Sequence, residues 1–310
     1  MNIILSEMRM ILLTLNDAFE AFIYSRILAD LSPKTIRCYR DFVSPFVIYT
    51  GSSLEIENLN KDMINNYIMT LYARPLSKTS KATYIRHLKT CLRWLENTYK
   101  LDIDVSSIRI PRTFKKMIHV YSNDEILYIF QSIRTSSSWM TARNKAIIAL
   151  MLDSGLRQGE VCSLLHKDIH YKDSIIKICG KGNKERVVPL GTITAIYLKE
   201  YFKLCPFDSI YAFVGKKGLP LTCDAIKHLV HKLAEQLPFE FSSHKLRHNF
   251  ATNYCLDQYN KYGHMDVYRL MVLMGHEDIE TTRRYLHMAN RIIATQTNIS
   301  HIDSILTKNF

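Results

Sequence analysis

Two short segments near the C-terminus, FSSHKLRHNFAT (241–252) and LMGHEDIETTRRYLHM (273–288), contain most of the chemically distinctive side chains of this chain. In the first segment, His244, Arg247 and His248 are spaced i, i+3 and i+4. On an α-helix that spacing places all three side chains on one face. The pattern therefore predicts a helix that presents one guanidinium and two imidazoles together.

The residues just before this face predict where its helix begins. Ser242 and Ser243 are both good N-cap residues, because a serine hydroxyl can accept a hydrogen bond from a backbone N–H of the first turn. Helix N-termini attract anions through their unpaired N–H groups and the helix dipole. We therefore expect the cationic face to start at an anion-attracting helix end.

The second segment predicts a helix end, a short connection and a new helix. Gly275 follows the apolar stretch 267–274 and is typical of a residue that ends a helix in a left-handed conformation. His276 comes directly after it, Asp278 can cap the next helix, and Tyr285 falls about two turns into that helix. The two segments together gather cationic and imidazole groups around one phenol. That set suits a phosphodiester, because planar guanidinium groups bind phosphate oxygens in pairs.

The composition is that of a globular protein with a polyanionic partner. The chain has 310 residues, enough for two domains with separate cores, and contains 47% hydrophobic against 23% charged residues. Its formal net charge is +12, from 41 Lys and Arg against 29 Asp and Glu. Such basicity favours nucleic acid as a partner but does not prove it.

The cysteines favour a reducing compartment, so we expect a cytoplasmic protein. Seven cysteines are scattered without any C-x-x-C pair, which argues against a disulfide framework and against a zinc ribbon. The apolar N-terminal residues 1–15 are interrupted by Glu7 and Arg9 and are too few to span a bilayer. We interpret them as a buried first helix and expect no membrane partner.

The first third of the chain predicts a helical domain over residues 10–103. Apolar residues recur at helical spacing in four segments, of which the second starts at a Ser-Pro pair and the fourth covers 77–99. Residues 104–118 lack periodicity and contain Pro111 among basic residues, which indicates an extended linker. The lysines and arginines of the fourth helix fit either a solvated surface, the commoner case for one helix, or a clamp on a phosphate backbone.

Residues 119–310 predict a second domain, mainly helical with a small β-sheet, so the fold class is α+β. A capping box at 122–125 and an apolar stretch at 141–153 predict its first two helices. Residues 173–190 change to β-forming residues around a Gly-Lys-Gly-Asn turn, which predicts a hairpin with Lys181 at its tip. Helical patterns return after the hairpin.

Taken singly, the candidate site residues have ordinary explanations. Arg157, which follows a predicted helix end, is a typical surface arginine, and Lys181 is a typical turn lysine. His244 and His248 could pair on a zinc ion, but the glutamate of H-E-x-x-H is missing and no third ligand is evident. We expect neither a metal ion nor a cofactor, since the chain also lacks a phosphate-binding G-x-x-x-x-G-K-[ST] motif.

Taken in order, five segments resemble the tyrosine recombinases, also called the phage integrase family, which includes the Xer recombinases. The segments are SGLR (154–157), GKGNKER (180–186), HKLRH (244–248), GH (275–276) and RRY (283–285). The resemblance covers nearly the whole chain and implies a helical, SAM-like core-binding domain followed by a catalytic domain. It implies an enzyme that cuts and rejoins DNA at specific sites through a 3′-phosphotyrosyl intermediate.

The resemblance implies roles for six residues: Arg157, Lys181, His244, Arg247, His276 and Tyr285. The two arginines would clamp the scissile phosphate, with His276 as a third phosphate-binding group. Tyr285 would be the nucleophile, Lys181 the general acid for the leaving 5′-oxygen, and His244 an assisting acid or base. The chemistry agrees with this scheme, because a tyrosine with an ordinary pKa of about 10 needs nearby positive charge or a base to react at neutral pH.

The family also implies partners for the chain. These are double-stranded DNA, a homo-oligomer of four protomers that holds two sites, and an accessory DNA-bending factor or a partner recombinase. The tail, 291–310, reads as a linker and an amphipathic helix. That helix packs either on its own domain or, as in the family, on a neighbouring protomer.

Two alternative functions stay open at this point. One is a non-catalytic DNA-binding regulator on the same scaffold, although the complete catalytic set argues against it. The other is a type IB topoisomerase, which the N-terminal domain and the tail disfavour. Among recombinases, integration or excision of a mobile element and Xer-type resolution are both open, and a loop predicted over 257–264 slightly favours the mobile element.

Overall fold

The computed structural model describes residues 13–113, 119–180, 185–296 and Ile302. The described chain is mostly helical and has one three-stranded antiparallel sheet, so the predicted α+β fold class is confirmed. The chain divides into two compact units, Met1–Lys116 and Met117–Phe310. None of the helices within the described ranges is both long enough and apolar enough to cross a lipid bilayer.

The first unit contains four helices whose starts follow one rule. They are α1 (Leu15–Leu28), α2 (Pro33–Thr50), α3 (Lys61–Ala73) and α4 (Lys78–Tyr99). Each begins after a Thr, Ser or Asn whose side chain accepts a hydrogen bond from the backbone N–H three residues later. Their apolar faces bury a core that includes Phe22, Phe46 and Tyr67. The four segments with helical periodicity are therefore helices.

Part of the predicted linker, 104–118, packs on this first unit. A short 3₁₀ turn covers Val105–Ser107, and the side chains of Val105 and Ile108 are buried in the core of the unit. Lys89 of α4 donates a hydrogen bond to the Ile108 carbonyl at 2.6 Å. The first unit therefore packs as far as Ile108, beyond the predicted start of the linker.

The second unit is mainly helical among the described residues. Before the sheet come α5 (Asn123–Ser132), α6 (Ser138–Asp153) and α7 (Gln158–Ser163); after it come α8 (Thr192–Leu204), α9 (Cys223–Ala234), α10 (Ser243–Tyr262), α11 (Val267–Met274) and α12 (Ile279–Gln296). The strongly apolar α6 packs against both α8 and α10. Its Ala146, Ile147 and Leu150 are buried in the main core. A helix that is apolar on most sides is thus placed at the centre of the unit.

The sheet has the order β1-β2-β3 with antiparallel neighbours. Its strands are β1 (Ile169–His170), β2 (Ile175–Cys179) and β3 (Glu185–Pro189). Ile176 of β2 lies opposite Val188 of β3, and both are buried. The two predicted hairpin strands are present, whereas β1 was not predicted, because two residues carry almost no periodic signal. Lys181, predicted at the hairpin tip, lies outside the described residues.

Two predictions for irregular segments are wrong. The loop predicted for 257–264 is mostly helix, because α10 continues almost to its end and stops at Gly263, whose φ of 73° is left-handed. Residues 291–296, predicted to begin a linker, continue α12 to Gln296. The rest of the predicted tail lies outside the described residues, except Ile302, which is helical and exposed.

Candidate active site

Arg247 lies at the centre of the site and connects three chain segments. It belongs to the first turns of α10, which begins after Ser242 as predicted. Its buried guanidinium donates through Nη1 to the Gly155 carbonyl and through Nη2 to the Met274 carbonyl. Burial, and then the nearby charge of Arg157, lowers the pKa of Arg247 to about 10. The group therefore remains a cation at neutral pH.

His276 follows the left-handed Gly275 that ends α11, as the sequence predicts. Its Nδ1 lies 2.8 Å from Thr282 Oγ1, and its Nε2 lies 3.5 Å from Arg247 Nη2. Burial, followed by the charges of Arg247 and Arg157, lowers the pKa of His276 to about 4. The imidazole is therefore neutral at pH 7 and sits beside a guanidinium without charge repulsion.

Arg157 approaches the same turn from a different segment. It immediately precedes α7, and its Nη2 donates to the Gly275 carbonyl at 3.0 Å. Its Nη1 donates to Glu160 Oε1 at 2.8 Å. The Arg157 side chain is 43% exposed, whereas Arg247 is 6% exposed. Arg157 is therefore the more accessible guanidinium for an incoming anion.

A buried ion pair that the sequence did not predict supports this arrangement. Both carboxylate oxygens of Glu160 accept hydrogen bonds from Arg186 of β3, at 2.7 and 2.8 Å, and Arg186 Nε donates to the Leu273 carbonyl at 2.9 Å. Burial raises the pKa of Glu160, but the hydrogen bonds and charges of Arg186 and Arg157 outweigh it and hold that pKa at about 2. The carboxylate therefore stays ionised and can orient both arginines.

Tyr285 lies within α12, and its side chain is 1% exposed. Its ring stacks on that of His276, with ring centroids 6.2 Å apart and an angle of 13° between the planes. The hydroxyl accepts a hydrogen bond from Arg284 Nη2 at 3.0 Å. Burial raises the pKa of Tyr285, and the charges of Arg284, Arg247 and Arg157 offset part of that rise. The phenol is therefore protonated at neutral pH.

His248 contacts both His244 and Tyr285. Its ring centroid lies 4.0 Å from that of His244 and 5.2 Å from that of Tyr285. Its Nδ1 is buried and has no hydrogen-bond partner among the described atoms. Burial lowers the pKa of His248 to about 3, and burial together with nearby arginines also lowers the pKa of His244. Both imidazoles are therefore neutral at pH 7.

The structure brings together five of the six site residues that the sequence predicts. Those five are Arg157, His244, Arg247, His276 and Tyr285; the sixth, Lys181, lies outside the described residues. The site also contains residues to which sequence analysis gave no role: Glu160, Arg186, His248, Thr282 and Arg284. His248 was visible as a member of the helical face, whereas the Glu160–Arg186 pair depends on contacts between distant segments.

The arrangement suits chemistry at a phosphate group. Guanidinium groups can neutralise the charge that develops on nonbridging oxygens, and a phenol next to them can act as a nucleophile. In the part of the chain that the structure describes, no group of three or more His, Cys, Asp or Glu residues could hold a metal ion. The described side chains therefore offer attack by tyrosine oxygen with stabilisation by cationic donors.

Replacement of Gly155 by alanine should destabilise the second unit and disturb the position of Arg247. Gly155 has a φ of 64°, and an added Cβ would overlap the ring of Phe250. The resulting strain should lower the stability of the second unit by about 1–3 kcal/mol. It should also displace the Arg247 guanidinium, because the Gly155 carbonyl accepts a hydrogen bond from Arg247. Thermal denaturation measures the loss of stability. Gly159→Ala is the control, since an added Cβ there meets nothing within 4 Å; equal stability of the two variants would contradict the prediction.

Replacement of Arg247 by lysine should reduce the rate of DNA cleavage, the activity that the resemblance to tyrosine recombinases implies, by about 10²–10³-fold. A single ammonium cannot reproduce the planar pair of contacts to Gly155 and Met274. Single-turnover cleavage with saturating protein measures the rate separately from DNA affinity. Arg143→Lys is a matched control, because Arg143 also donates to a backbone carbonyl, that of Val214. That control should lose stability but keep its cleavage rate, and equal cleavage rates in both variants would contradict a special role for Arg247.

The fold and the site together define a class of protein. Two helical units, the second with a small sheet, and a buried tyrosine among arginines and histidines are the features of tyrosine-type site-specific recombinases, enzymes that cut and rejoin DNA. The phage integrase family matches residues 119–291, and the phage integrase SAM-like domain matches residues 14–94. The chain belongs to the phage integrase family. The resemblance and the enzyme class predicted from the sequence are thereby confirmed.

Similarity to individual relatives extends over most of the chain. Tyrosine recombinase XerD of Halalkalibacterium halodurans is 26% identical over 288 residues, covering 89% of this chain and 94% of the relative. Tyrosine recombinase XerC of Staphylococcus epidermidis is 27% identical over 281 residues, covering 88% and 93%. Both units of this chain therefore have counterparts in these relatives.

Solved structures with low sequence identity share the fold. A Tn1549 transposon integrase in complex with a circular intermediate DNA gives a TM-score of 0.71 at 16% identity, covering 88% of this chain and 95% of that chain. XerH bound to its palindromic difH substrate, in a post-cleavage complex, gives 0.69 at 22% identity, covering 92% and 84%. At these identities the comparison supports the architecture alone.

Proposed function

We propose that the chain recombines DNA through a covalent 3′-phosphotyrosyl intermediate formed by Tyr285. In this reaction the Tyr285 oxygen attacks the scissile phosphorus, the bond from phosphorus to the 5′-oxygen breaks, and the phenolic proton passes to a base. The 5′-hydroxyl of a second strand then attacks the phosphotyrosine and releases the enzyme. Because one phosphate ester replaces another at each step, no external energy source is required.

The observation that most strongly supports this proposal is the convergence of Arg157, Arg247 and His276 around Gly275, next to Tyr285. We assign the two arginines to the nonbridging oxygens of the scissile phosphate, where their charges stabilise the transition state. We assign His276 to the same phosphate as a third donor. A phosphate bound there would lie next to the phenol that attacks it.

The acid and base of the reaction are assigned from the family resemblance and from general chemistry. Lys181, which lies outside the described residues, is proposed to protonate the leaving 5′-oxygen, as the resemblance implies. In general a lysine can act as such an acid when nearby positive charges lower its pKa. His244 is proposed to assist removal of the phenolic proton. Its ring contacts that of His248, which in turn contacts Tyr285.

We propose double-stranded DNA as the partner of both units. On α4, Arg86 and Arg93 are exposed, whereas Lys81 and Lys89 donate to backbone carbonyls within the first unit. The exposed arginines are candidates for contacts with the phosphate backbone. Affinity that rests on such contacts should fall steeply with salt concentration.

The proposed domain organisation and assembly follow the family pattern. We assign residues 10–103 to the core-binding unit, 104–118 to a linker whose residues up to Ile108 pack on that unit, and 119–310 to the catalytic unit, and four protomers hold two DNA sites. Among related proteins, lambda integrase has been described as a dimer bound to a core site. The tail after α12 is proposed to couple neighbouring protomers, and accessory DNA-bending or partner proteins are compatible with this scheme. We propose a cytoplasmic location, which the scattered cysteines favour.

Two DNA contexts are compatible with this chemistry. One is integration or excision of a mobile element, and the other is Xer-type resolution. The helical character of residues 257–262 removes the argument that a long loop there favours a mobile element. The test of the function therefore includes sites of both kinds.

The test uses purified full-length chain and nicked duplexes from which the cleaved fragment diffuses away. One set of duplexes carries sequences that flank the gene, and the other carries paired inverted repeats of the Xer type. We expect a protein–DNA adduct on denaturing gels, a free 5′-hydroxyl on the released fragment, and phosphotyrosine in the peptide that contains Tyr285. A 5′-linked adduct, or specific binding with no adduct, would contradict the proposal.

A further inference from the structure

Arg284 makes two close contacts with the side chain of Tyr285. Its Nη2 donates a hydrogen bond to the Tyr285 hydroxyl at 3.0 Å, and its guanidinium carbon lies 4.9 Å from the centre of the Tyr285 ring. Through the hydrogen bond, a permanently charged guanidinium lies next to the Tyr285 oxygen, which is the nucleophile of the proposed reaction. The second contact places the same charge against the electron-rich face of the ring. Both contacts favour the ionised form of the phenol over the neutral form.

We propose that Arg284 is a further catalytic residue, which stabilises the developing phenolate of Tyr285 during attack on the DNA phosphate. The proposal rests on the assignment of Tyr285 as the nucleophile. Arg284 cannot be the base, because a guanidinium keeps its protons throughout the accessible pH range. The phenolic proton still passes to a base, the oxygen–phosphorus bond forms, and the bond to the 5′-oxygen breaks. The role of Arg284 is to stabilise the negative charge that develops on the Tyr285 oxygen when the proton leaves.

The surroundings of Tyr285 explain why such a residue is needed. The phenol is almost completely buried, and burial disfavours the phenolate. Charged and titratable groups face it from α10, from the segment before α7, from the turn before α12 and from α12 itself: Arg247, His248, Arg157, His276 and Arg284. His244 lies behind His248, against which its ring packs. Of the arginines in this set, Arg157 and Arg247 donate to backbone carbonyls, whereas Arg284 donates to the phenolic oxygen.

The preceding residue, Arg283, provides a matched comparison. Arg283 Nη1 pairs with Glu280 at 2.6 Å on the surface of the same helix. Arg283 and Arg284 carry the same charge, are adjacent in sequence and are both exposed. A general contribution of positive charge to DNA binding should therefore affect both variants alike, whereas stabilisation of the phenolate should depend on Arg284 alone.

The experiment measures single-turnover formation of the covalent adduct on a nicked duplex from pH 6 to pH 9.5, with saturating protein. The variants are Arg284→Ala, Arg284→Lys and Arg283→Ala, with the unmodified chain as reference. For Arg284→Ala we expect a rate about 10- to 100-fold lower at pH 7 and a pH–rate profile displaced to higher pH. Arg284→Lys should recover part of the rate, and Arg283→Ala should match the reference. Thermal denaturation of each variant checks that folding is preserved.

The other outcomes separate failure of this inference from failure of the proposed function. Identical rates and profiles for Arg284→Ala and Arg283→Ala would overturn the inference while leaving Tyr285 as the nucleophile. A faster reaction in Arg284→Ala would also overturn it, because the arginine would then hold the phenol back. If the unmodified chain forms no adduct through Tyr285 on a site that it binds specifically, the proposed function fails, and the inference fails with it.

Discussion

Replacement of Tyr285 by phenylalanine is expected to abolish the covalent protein–DNA complex and to leave folding and DNA binding almost unchanged. The variant removes only the oxygen that the proposed reaction uses. It keeps the ring, which is 1% exposed and stacks on His276. The hydroxyl accepts its hydrogen bond from the exposed Arg284, so the loss of that bond should cost only about 1 kcal/mol. Loss of the adduct would therefore report on chemistry and not on unfolding.

The expected size of the Tyr285→Phe effect is a fall in adduct formation of about 10⁴-fold or more, because no other group in the site replaces a missing nucleophile. Denaturing gels with end-labelled nicked duplex measure the adduct over several hours. Fluorescence anisotropy with the same duplex measures affinity at two salt concentrations. We expect equal affinities for the variant and the unmodified chain, and the same dependence of affinity on salt.

The controls for Tyr285→Phe are tyrosines elsewhere in the same unit. Tyr268 is 66% exposed, and the Tyr254 hydroxyl accepts a hydrogen bond from Gln258 at 3.2 Å. Among the residues that the structure describes, neither side chain is hydrogen-bonded to Arg157, Arg247 or Arg284. Tyr254→Phe and Tyr268→Phe should therefore form the adduct at the normal rate. An adduct that persists in Tyr285→Phe and disappears in one of these controls would move the nucleophile to that other tyrosine.

Features that depend on a few neighbouring residues could be predicted from the sequence. The start of α10 after Ser242 depends on one hydroxyl and one backbone N–H three residues later. The end of α11 at Gly275 depends on one left-handed residue. Because such interactions are local, their residues lie together in the sequence and can be recognised there. They are sufficient to place Arg247 in the first turns of α10 and His276 directly after the end of α11.

Features that depend on contacts between distant residues could not be predicted in the same way. Glu160 and Arg186 are separated by 26 positions, and their pairing depends on how β3 lies against α7. Nothing near Glu160 in the sequence distinguishes it from an exposed helical glutamate. The loop prediction for residues 257–264 is wrong for a related reason: a polar segment was interpreted as irregular, although such residues also fit the exposed end of a helix.

The sequence predicts which residues form the site, but it does not predict the pKa values of the histidines there. Motif positions alone do not reveal that burial and crowded arginines keep His276 and His248 neutral. Burial is the larger cause of both lowered pKa values, and the charges of the arginines add to it.

Replacement of Glu160 by glutamine is expected to cause a large loss of stability in the catalytic unit, about 3–5 kcal/mol at pH 7. The carboxylate is 7% exposed and accepts paired hydrogen bonds from Arg186, whose side chain is 8% exposed. A neutral amide would leave that buried guanidinium without a counter-charge. The NH₂ group of the glutamine would also face an N–H group of Arg186, so two hydrogen-bond donors would meet without an acceptor. Arg157, which donates to the same carboxylate, would lose its orientation as well.

The effect of Glu160→Gln should depend on pH in a defined direction. The pKa of Glu160 is about 2 in the folded chain, against an ordinary value of 4.5. A carboxyl with a lowered pKa stabilises the fold fully above its ordinary pKa, and that contribution is lost as the pH falls through the lowered value. The contribution should amount to about 3 kcal/mol. The stability difference between the unmodified chain and the variant should therefore be constant near neutrality and shrink between about pH 4.5 and pH 2.

Chemical denaturation at a series of pH values measures this difference, and Glu280→Gln is the matched control. Glu280 also pairs with an arginine three residues away in sequence, but both side chains of that pair are more than half exposed. Solvent weakens such a pair to about 0–1 kcal/mol, so the control should change stability little at any pH. Equal effects of the two substitutions would show that burial of Glu160 adds nothing. A difference between the unmodified chain and Glu160→Gln that stays constant down to pH 2 would mean that the carboxylate charge is not what stabilises Arg186.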